Sequence, residues 1–315
     1  MLLRVVSPAK LNLSLSVGPL RDDGFHSVDS FFHLLDLHDE LVLTSATDFS
    51  FCSTVDLAIP DDDNLVVRAA RGMADLYGRQ LPPVRLELRK RIPHGAGLGG
   101  GSSNAAATIY ALSLLWSVRP DDPKHLKLAA DLGSDVPLFL APTTASIMTG
   151  RGEALHQSRD PVPGLPILLA NPKNAHSSTG AVYRAFDANP QPQHAMPRAM
   201  PKAILKTATE TSLEATISNI RLDAEDTWKN NLEAAAVAVS PETGDVLTWL
   251  RSQSSVELAL VAGSGSACGA LCATADDADR LSRAVQQKGW WAVAAMTTNI
   301  GIHALSSLKS SQTAL

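Results

Sequence analysis

The sequence predicts an α+β protein in two parts, the first of them built around an anion-binding loop. Three observations carry that prediction. Five glycines fall within the seven positions from Gly95 to Gly101, and the run leads straight into an apolar, alanine-rich helical segment. The strand-like segments before it alternate apolar and polar residues, unlike the continuous apolar runs of a doubly wound parallel sheet. Pro161, Pro163 and Pro166 punctuate the middle of a 315-residue chain, and a separately patterned half follows them.

Leu11, Leu13, Leu15 and Val17 alternate with Asn12, Ser14 and Ser16, which reads as a half-buried strand with a polar second face. Lys10 shares the parity of Asn12, so both point to that face. Arg21-Asp22-Asp23-Gly24 is a turn, and an apolar segment resumes from Phe31 to Leu37. Asp61 to Asn64 caps a helical pattern over Leu65 to Leu76, and Val84 to Leu88 alternates as another strand. The glycine run follows, then a helix to Trp116, with Ser102, Ser103 and Asn104 as candidate N-caps. These elements form a first domain over 1–160, an α+β layer with one sheet face open to ligand.

The second domain, over 161–305, opens with the strand Ile167 to Ala170. Residues 188–226 show the weakest periodicity and read as a partly mobile insertion, with Ala203 to Ile220 a candidate helix. Helices over Asn230 to Val239 and Glu242 to Arg251, then strands near Glu257 to Ala262 and Ala267 to Ala273, complete it. Residues 306–315 are a tail.

Composition excludes several functions. A net charge of −5 argues against nucleic acid and acidic membranes as partners, and 5% aromatic content leaves little for stacking on single strands. The three cysteines, Cys52, Cys268 and Cys272, make no zinc site, and their low, odd count fits a reducing compartment. The N-terminus lacks an apolar run long enough for a signal segment. The longest uncharged stretch, Leu258 to Ala275, is broken by Gly263, Gly265 and Gly269. A cytoplasmic enzyme, monomer or weak homodimer, is expected.

The loop Pro93-His94-Gly95-Ala96-Gly97-Leu98-Gly99-Gly100-Gly101-Ser102-Ser103 carries the chemistry. Without Cβ atoms, consecutive N–H groups can close around an anion, and the helix that follows aims its positive end into the same place. A nucleoside triphosphate is the natural guest. A flexible linker would not run into an apolar helix. Gly95-x-Gly97-x-x-Gly100 matches the dinucleotide fingerprint literally, but Arg89 to Pro93 intervene where a buried strand should lead in. No Gly-Lys dipeptide exists, which removes a Walker A loop. A Cβ added at Gly99 or Gly101 is expected to block the phosphates.

Four further segments join the loop: Ser7-Pro8-Ala9-Lys10-Leu11-Asn12-Leu13, Asp22-Asp23-Gly24-Phe25-His26, Leu132-Gly133-Ser134-Asp135-Val136-Pro137-Leu138-Phe139 and Ala262-Gly263-Ser264-Gly265-Ser266-Ala267. In this order and spacing they resemble the GHMP kinases (galacto-, homoserine, mevalonate and phosphomevalonate kinases). The resemblance runs from about residue 7 to residue 300, interrupted around 188–226. It implies a two-domain GHMP kinase fold, with an N-terminal ATP-binding α+β domain and a C-terminal α/β-sandwich, ferredoxin-like domain on the substrate side. The first two segments resemble the branch that phosphorylates the 2-hydroxyl of a cytidine-diphosphate-linked methylerythritol, in the non-mevalonate route to isoprenoid precursors.

The resemblance assigns roles that the residues alone leave open, since a lone lysine is usually solvated and an Asp after Gly-Ser commonly caps a helix. Asp135 would accept or orient the proton of the attacking hydroxyl, with Lys10 beside it stabilising charge on that oxygen and on the transferring phosphoryl group. Phe25 and Tyr183 would flank the cytosine, His26 would read its edge, and Asn12 and Thr179 would hold the diphosphate-linked polyol. Gly263, Ser264 and Gly265 would close on the substrate from the second domain. Asn64 and Lys90 would lie near adenine and ribose. No protein metal site is implied: Mg²⁺ would ride on the ATP phosphates, with Ser102 or Ser103 as a contact. His94 and Ala96 depart from the family's usual loop residues, Ala96 fitting only at negative φ, and Phe25 stands where tyrosine is common. A GHMP kinase for another small alcohol, such as homoserine or mevalonate, is disfavoured by Phe25-His26. A non-catalytic nucleotide-binding protein is disfavoured by the presence of both Lys10 and Asp135.

Overall fold

The computed structural model describes residues 2–152, 154–157, 162–173, 175, 177–191 and 229–306. Two long strands, β1 (Leu2–Leu20) and β2 (His26–Ser45), pair antiparallel around the expected turn at 21–24. They centre a 7-stranded sheet ordered β11-β1-β2-β4-β3, with β5 pairing to β2 and β6 to β5. Here β3 is Ser50–Ser53, β4 Val84–Arg89, β5 Ala145–Thr149, β6 Ala154–Gln157 and β11 His303–Ser306. Helices α1 (Leu65–Leu76), α2 (Gly100–Leu115), α3 (Pro123–Leu132) and α4 (Val136–Leu140) belong to this part.

A 4-stranded sheet follows, ordered β10-β7-β9-β8, all antiparallel. Its strands are β7 (Pro166–Asn171), β8 (Val256–Val261), β9 (Cys268–Cys272) and β10 (Trp291–Met296). Its helices are α5 (Thr179–Ala188), α6 (Glu233–Val239), α7 (Pro241–Arg251) and α8 (Ala275–Gln287). Strand, helices, two strands, helix, strand, with β7 and β9 central, is the ferredoxin-like arrangement.

The molecule stacks helices, sheet, sheet, helices. Phe32, Leu34 and Leu43 of β2 pack against Met73 of α1, Ile109 and Leu112 of α2 and Phe139 of α4. On the other face Leu11, Leu13, Phe31 and Leu35 meet Ile167, Leu169, Leu260 and Leu271 of the second sheet. Leu168, Ala170 and Val261 turn outward to Val182, Phe186, Leu250, Leu281 and Val285. The continuous apolar run of β7 is therefore that of a strand buried on both faces. The first sheet is covered on both faces, and its opening to ligand narrows to a cavity reached by Lys10, Asn12 and Ser30. The polar face of β1 is itself buried, with Asn12, Ser14 and Ser16 all 5% exposed or less.

The expected helix over Leu65 to Leu76 forms, and the Asn64 side chain accepts the Val66 N–H at 2.9 Å as its N-cap. The second helix starts earlier than expected. Gly99, in the left-handed region at φ 70°, caps α2, and its carbonyl accepts Ser103 N–H at 2.9 Å. Ser102, Ser103 and Asn104 therefore lie inside the helix and do not cap it. β11 returns from the end of the second part to pair antiparallel with β1 of the first sheet. Most of the expected insertion, with Ala203 to Ile220, and residues 307–315 lie outside the described residues. Among the described residues no helix is long and apolar enough to cross a membrane.

His33 of β2 shares its face with Phe31 and Leu35, between the sheets. Nδ1 is bonded to the Leu34 carbonyl at 2.9 Å, while Nε2 is buried without a partner. Burial lowers its pKa from 6.5 to about 4. The folded value lies below the unfolded one, so the unfolded chain binds the extra proton and stability falls as pH drops from 6.5 toward 4. About 2–3 kcal/mol is expected to be lost across that window. Urea midpoints from pH 7.5 to 4.5 should fall less steeply for His33→Leu than for the wild type; equal slopes would exclude His33 as the source.

Candidate active site

The site is assembled where β1, the glycine loop and the turn between β8 and β9 converge. Register shifts at Pro8/Lys10 and Asn12/Ser14 bracket Lys10 and Asn12, the bulged geometry that re-aims side chains. The Lys10 N–H donates to the Leu98 carbonyl at 3.0 Å, tying the strand to the loop. Ala96 and Leu98, 2% and 1% exposed, point into the core between the sheets, while Gly95, Gly97 and Gly99 take φ of 64°, 78° and 70°. The loop is thus plugged into the protein by every second side chain, and its glycines turn the backbone back each time. Ala96 is not among the positive-φ residues, which meets the condition its side chain imposed.

Two of these glycines are required by close approach. A Cβ on Gly97 would overlap the Ala262 carbonyl oxygen, and one on Gly99 would lie 2.9 Å from both Lys10 Cγ and Phe139 Cζ. From the opposite side, a Cβ on Gly263 would come within 3.5 Å of Lys10 Nζ. Lys10 lies in a slot between the glycines of two loops. Asn230 braces the second of these, its Nδ2 donating to the Val261 and Gly263 carbonyls at 2.8 and 2.7 Å.

Around that slot lies a cavity of about 370 Å³, lined by residues 93–102, by Lys10, Asn12 and Asp135, and by Thr179, Tyr183, Gly263 and Ser264. Lys10 is 5% exposed. Its Nζ donates to Asn12 Oδ1 at 2.5 Å, and Asn12 Nδ2 donates to Ser30 Oγ at 2.7 Å. Ser30 passes its own proton to the Ser14 carbonyl at 2.8 Å, so the chain of donors ends on backbone. Asp135 Oδ2 is 3.5 Å from Lys10 Nζ, with its side chain 30% exposed. Asp135 stands at the N-cap position of α4 yet makes no capping bond, which leaves the carboxylate available to a ligand. Gly100, Gly101 and Ser102 open α2 on the cavity wall, and the first N–H groups of a helix have no intrahelical acceptor.

The residues expected around a base divide. Tyr183 lines the cavity, and burial, with the Asp135 charge adding to it, pushes its phenol up to about 12. Phe25 is 53% exposed at the rim, with the guanidinium of cavity-lining Arg151 4.9 Å from its ring centre. His26 is 7% exposed and packs 5.1 Å from the Tyr183 ring. Its Nδ1 is bonded to the Gly18 carbonyl at 2.8 Å, and Nε2 lies 3.3 Å from Asp187. Both ring nitrogens of His26 thus face partners within the protein. Thr179 Oγ1 is 3.1 Å from Ser264 Oγ, joining α5 to the glycine turn, and Gly265 N–H closes that turn on the Ala262 carbonyl.

At the expected nucleotide end, the Lys90 side chain is 6% exposed and its Nζ donates to fully buried Asp39 at 2.5 Å. Asn64 spends its side-chain oxygen on capping α1, while its neighbour Leu65 reaches the cavity. Ser103 is buried, with the Ser7 hydroxyl donating to it at 2.8 Å, whereas Ser102 lines the cavity. Of the two serines only Ser102 fits a metal held on the phosphates. Sequence reasoning passed over Asp39, Ser30, Asn230 and Arg151. For Arg151 the flanking Gly150 and Gly152 were a readable turn signal; for Asp39 no local signal exists.

Two family descriptions match the chain: the GHMP kinases N terminal domain over residues 64–142 and the GHMP kinases C terminal over residues 205–289. The 4-diphosphocytidyl-2-C-methyl-D-erythritol kinase of Caulobacter vibrioides (strain NA1000 / CB15N) is 38% identical over 300 residues, 92% of this chain and 98% of that one. The chain belongs to the GHMP kinase family. A Salinispora arenicola relative of this GHMP kinase, bearing the same name, is 36% identical over 89% of the chain and 86% of its own length. A crystal structure of 4-(cytidine 5'-diphospho)-2C-methyl-D-erythritol kinase superposes with a TM-score of 0.73 at 30% identity, covering 94% of this chain and 99% of that one. Homoserine kinase from Cytophaga hutchinsonii, at 16% identity and a TM-score of 0.66 over 96% and 97% of the two chains, shares the fold.

The glycines of the loop should not respond alike to substitution. Gly97→Ala is strained in φ and drives its methyl into the Ala262 carbonyl, so melting temperature and ATP binding should both fall. At Gly101 a Cβ meets only Leu65 Cδ1 at 3.6 Å, so Gly101→Ala should keep the wild-type melting temperature. Gly99 differs: a Cβ there would meet Lys10 Cγ and Phe139 Cζ at 2.9 Å, so its substitution would disturb the fold as well as the phosphates. Thermal scans with ATP calorimetry on both variants check it; a Gly97→Ala protein as stable as the wild type would refute the packing at Ala262.

Proposed function

We propose that this kinase transfers the γ-phosphoryl group of ATP to the 2-hydroxyl of 4-diphosphocytidyl-2-C-methyl-D-erythritol, in the non-mevalonate route to isoprenoid precursors. The observation that carries the reading is the single cavity that holds the glycine loop and α2 N-terminus at one end and Tyr183 at the other, with Lys10 and Asp135 between them. The relatives named for this activity match nearly the whole chain. Homoserine and mevalonate kinases, at 16% and 12% identity, share only the fold.

Phosphoryl transfer asks the protein for position and charge rather than covalent chemistry. The loop's backbone and the first turn of α2 would hold the triphosphate. Asp135 would accept the hydroxyl proton as the oxygen attacks, and the Lys10 ammonium would oppose the charge that develops on that oxygen and on the moving phosphoryl group. Asn12 fixes the ammonium by accepting one of its protons, so Lys10 needs no rearrangement at the moment of reaction. Bound Mg²⁺ would neutralise phosphate charge, with the Ser102 hydroxyl its nearest fit. Tyr183 and Phe25 offer ring faces to cytosine.

A coupled ADP-release assay tests the reading. Turnover is expected with the cytidine-linked methylerythritol and none above background with mevalonate or homoserine; the reverse order would overturn it. Phe25→Ala should raise the KM of the cytidine substrate by about tenfold, the loss of one stacking face, and leave that of ATP unchanged. An equal rise in both would move Phe25 out of the acceptor site.

A further inference from the structure

Asp39 is a fully buried carboxylate on β2, 0% exposed, and the reaction just described makes no use of it. Its two oxygens have separate tasks. Oδ1 accepts the backbone N–H groups of Arg91 and Ile92 at 2.7 and 2.9 Å, the residues that enter the phosphate loop. Oδ2 accepts Asn104 Nδ2 at 2.9 Å, near the start of α2 where the loop ends, and Lys90 Nζ at 2.5 Å. Asn104 Nδ2 also donates to Ser7 Oγ at 2.9 Å, and Ser7 Oγ donates to Ser103 Oγ at 2.8 Å, so the exit side is held at two successive residues. Lys90 Nζ lies 3.1 Å from where a Cβ on Gly100 would sit, directly beneath the first residue of the helix.

We infer that Asp39 is a positioning residue for the nucleotide, tying both ends of the phosphate loop to one carboxylate and thereby setting the affinity for ATP. A glycine-rich loop has little of its own to hold its shape, and each residue that must be ordered on binding subtracts from affinity. Pinning its entry and exit to the same rigid strand removes most of that cost before the ligand arrives. The chemistry demands a carboxylate. Four donors converge on it, and a carboxylate has only acceptors to offer. An asparagine would keep one oxygen for Arg91 and Ile92 but turn an NH₂ toward Asn104 and Lys90, which are themselves donors. The entry would stay fixed and the α2 end would keep only its ties to Ser7.

The inference rests on the reading that the loop binds ATP, and the test separates the two. Calorimetric Kd for ATP and the KM of each substrate are measured for the wild type, Asp39→Asn and Asn104→Ala. Asp39→Asn should weaken ATP by about tenfold or more, because Lys90 and Asn104 lose the carboxylate oxygen they share, and leave the KM of the acceptor substrate within about twofold. Asn104→Ala, which cuts only the exit-side tie, should weaken ATP in the same direction by a smaller factor, and decides the matter if the first variant does not fold. A buried ion pair with a purely structural role would shift both substrates by the same factor or shift neither, and either result overturns the inference. A wild-type chain that binds no ATP would overturn the functional reading instead.

Discussion

The contact on which the rest of the site depends is the close approach of two glycine turns to Lys10. Gly99 leaves no room for a Cβ beside its side chain, Gly263 faces its ammonium from the other side, and Gly97 lies against the Ala262 carbonyl. That approach sets the distance between the phosphate loop, which belongs to the first sheet's helical layer, and the β8–β9 turn, which belongs to the second sheet. Face-to-face packing of the sheets brings the turn there: Gly269 of β9 is itself packed so tightly on Leu11 of β1 that a Cβ would lie 2.8 Å from both Leu11 methyls. One strand, β1, therefore carries the inter-sheet core on Leu11 and Leu13 and the chemistry on Lys10 and Asn12.

Burying an ammonium and an amide on a core strand is costly unless every donor finds an acceptor. Lys10, Asn12 and Ser30 meet this condition in sequence and end on the Ser14 carbonyl. Asp135 is the contrast, with its side chain 30% exposed against 6% for that of Lys10. The cation is fixed in the wall and the carboxylate faces the space where an acceptor would lie. Such an arrangement favours charge that appears during the reaction over charge already present in the substrate.

Much of this was legible in the sequence where the signal is local. The Leu65–Leu76 helix with its Asn64 cap, the glycine loop before α2, and the shared parity of Lys10 and Asn12 depend on residues a few positions apart. The polar face of β1 was legible as polar but not as buried, since its cover comes from distant elements. Ser102 to Asn104 looked like caps because propensity favours them, yet the left-handed Gly99 had already begun the helix. His26 gave no hint of its bonds to Gly18 and Asp187. Asp39 was invisible for the same reason: its side-chain partners Lys90 and Asn104 lie 51 and 65 positions away. Helix α8 is a different case, because Ala278, Leu281 and Val285 at helical spacing behind the Thr274 cap were there to be read.

The central claim is that Lys10 and Asp135, 3.5 Å apart, act on the attacking hydroxyl as one unit. Single-turnover phosphoryl transfer in the wild type, Lys10→Met, Asp135→Asn and the double variant tests it most directly. Each single change should slow transfer by about a thousandfold or more while ATP binding holds, and the double should be little slower than either, as for groups that fail together. Losses that multiply in the double variant, or near wild-type transfer by Asp135→Asn, would contradict it.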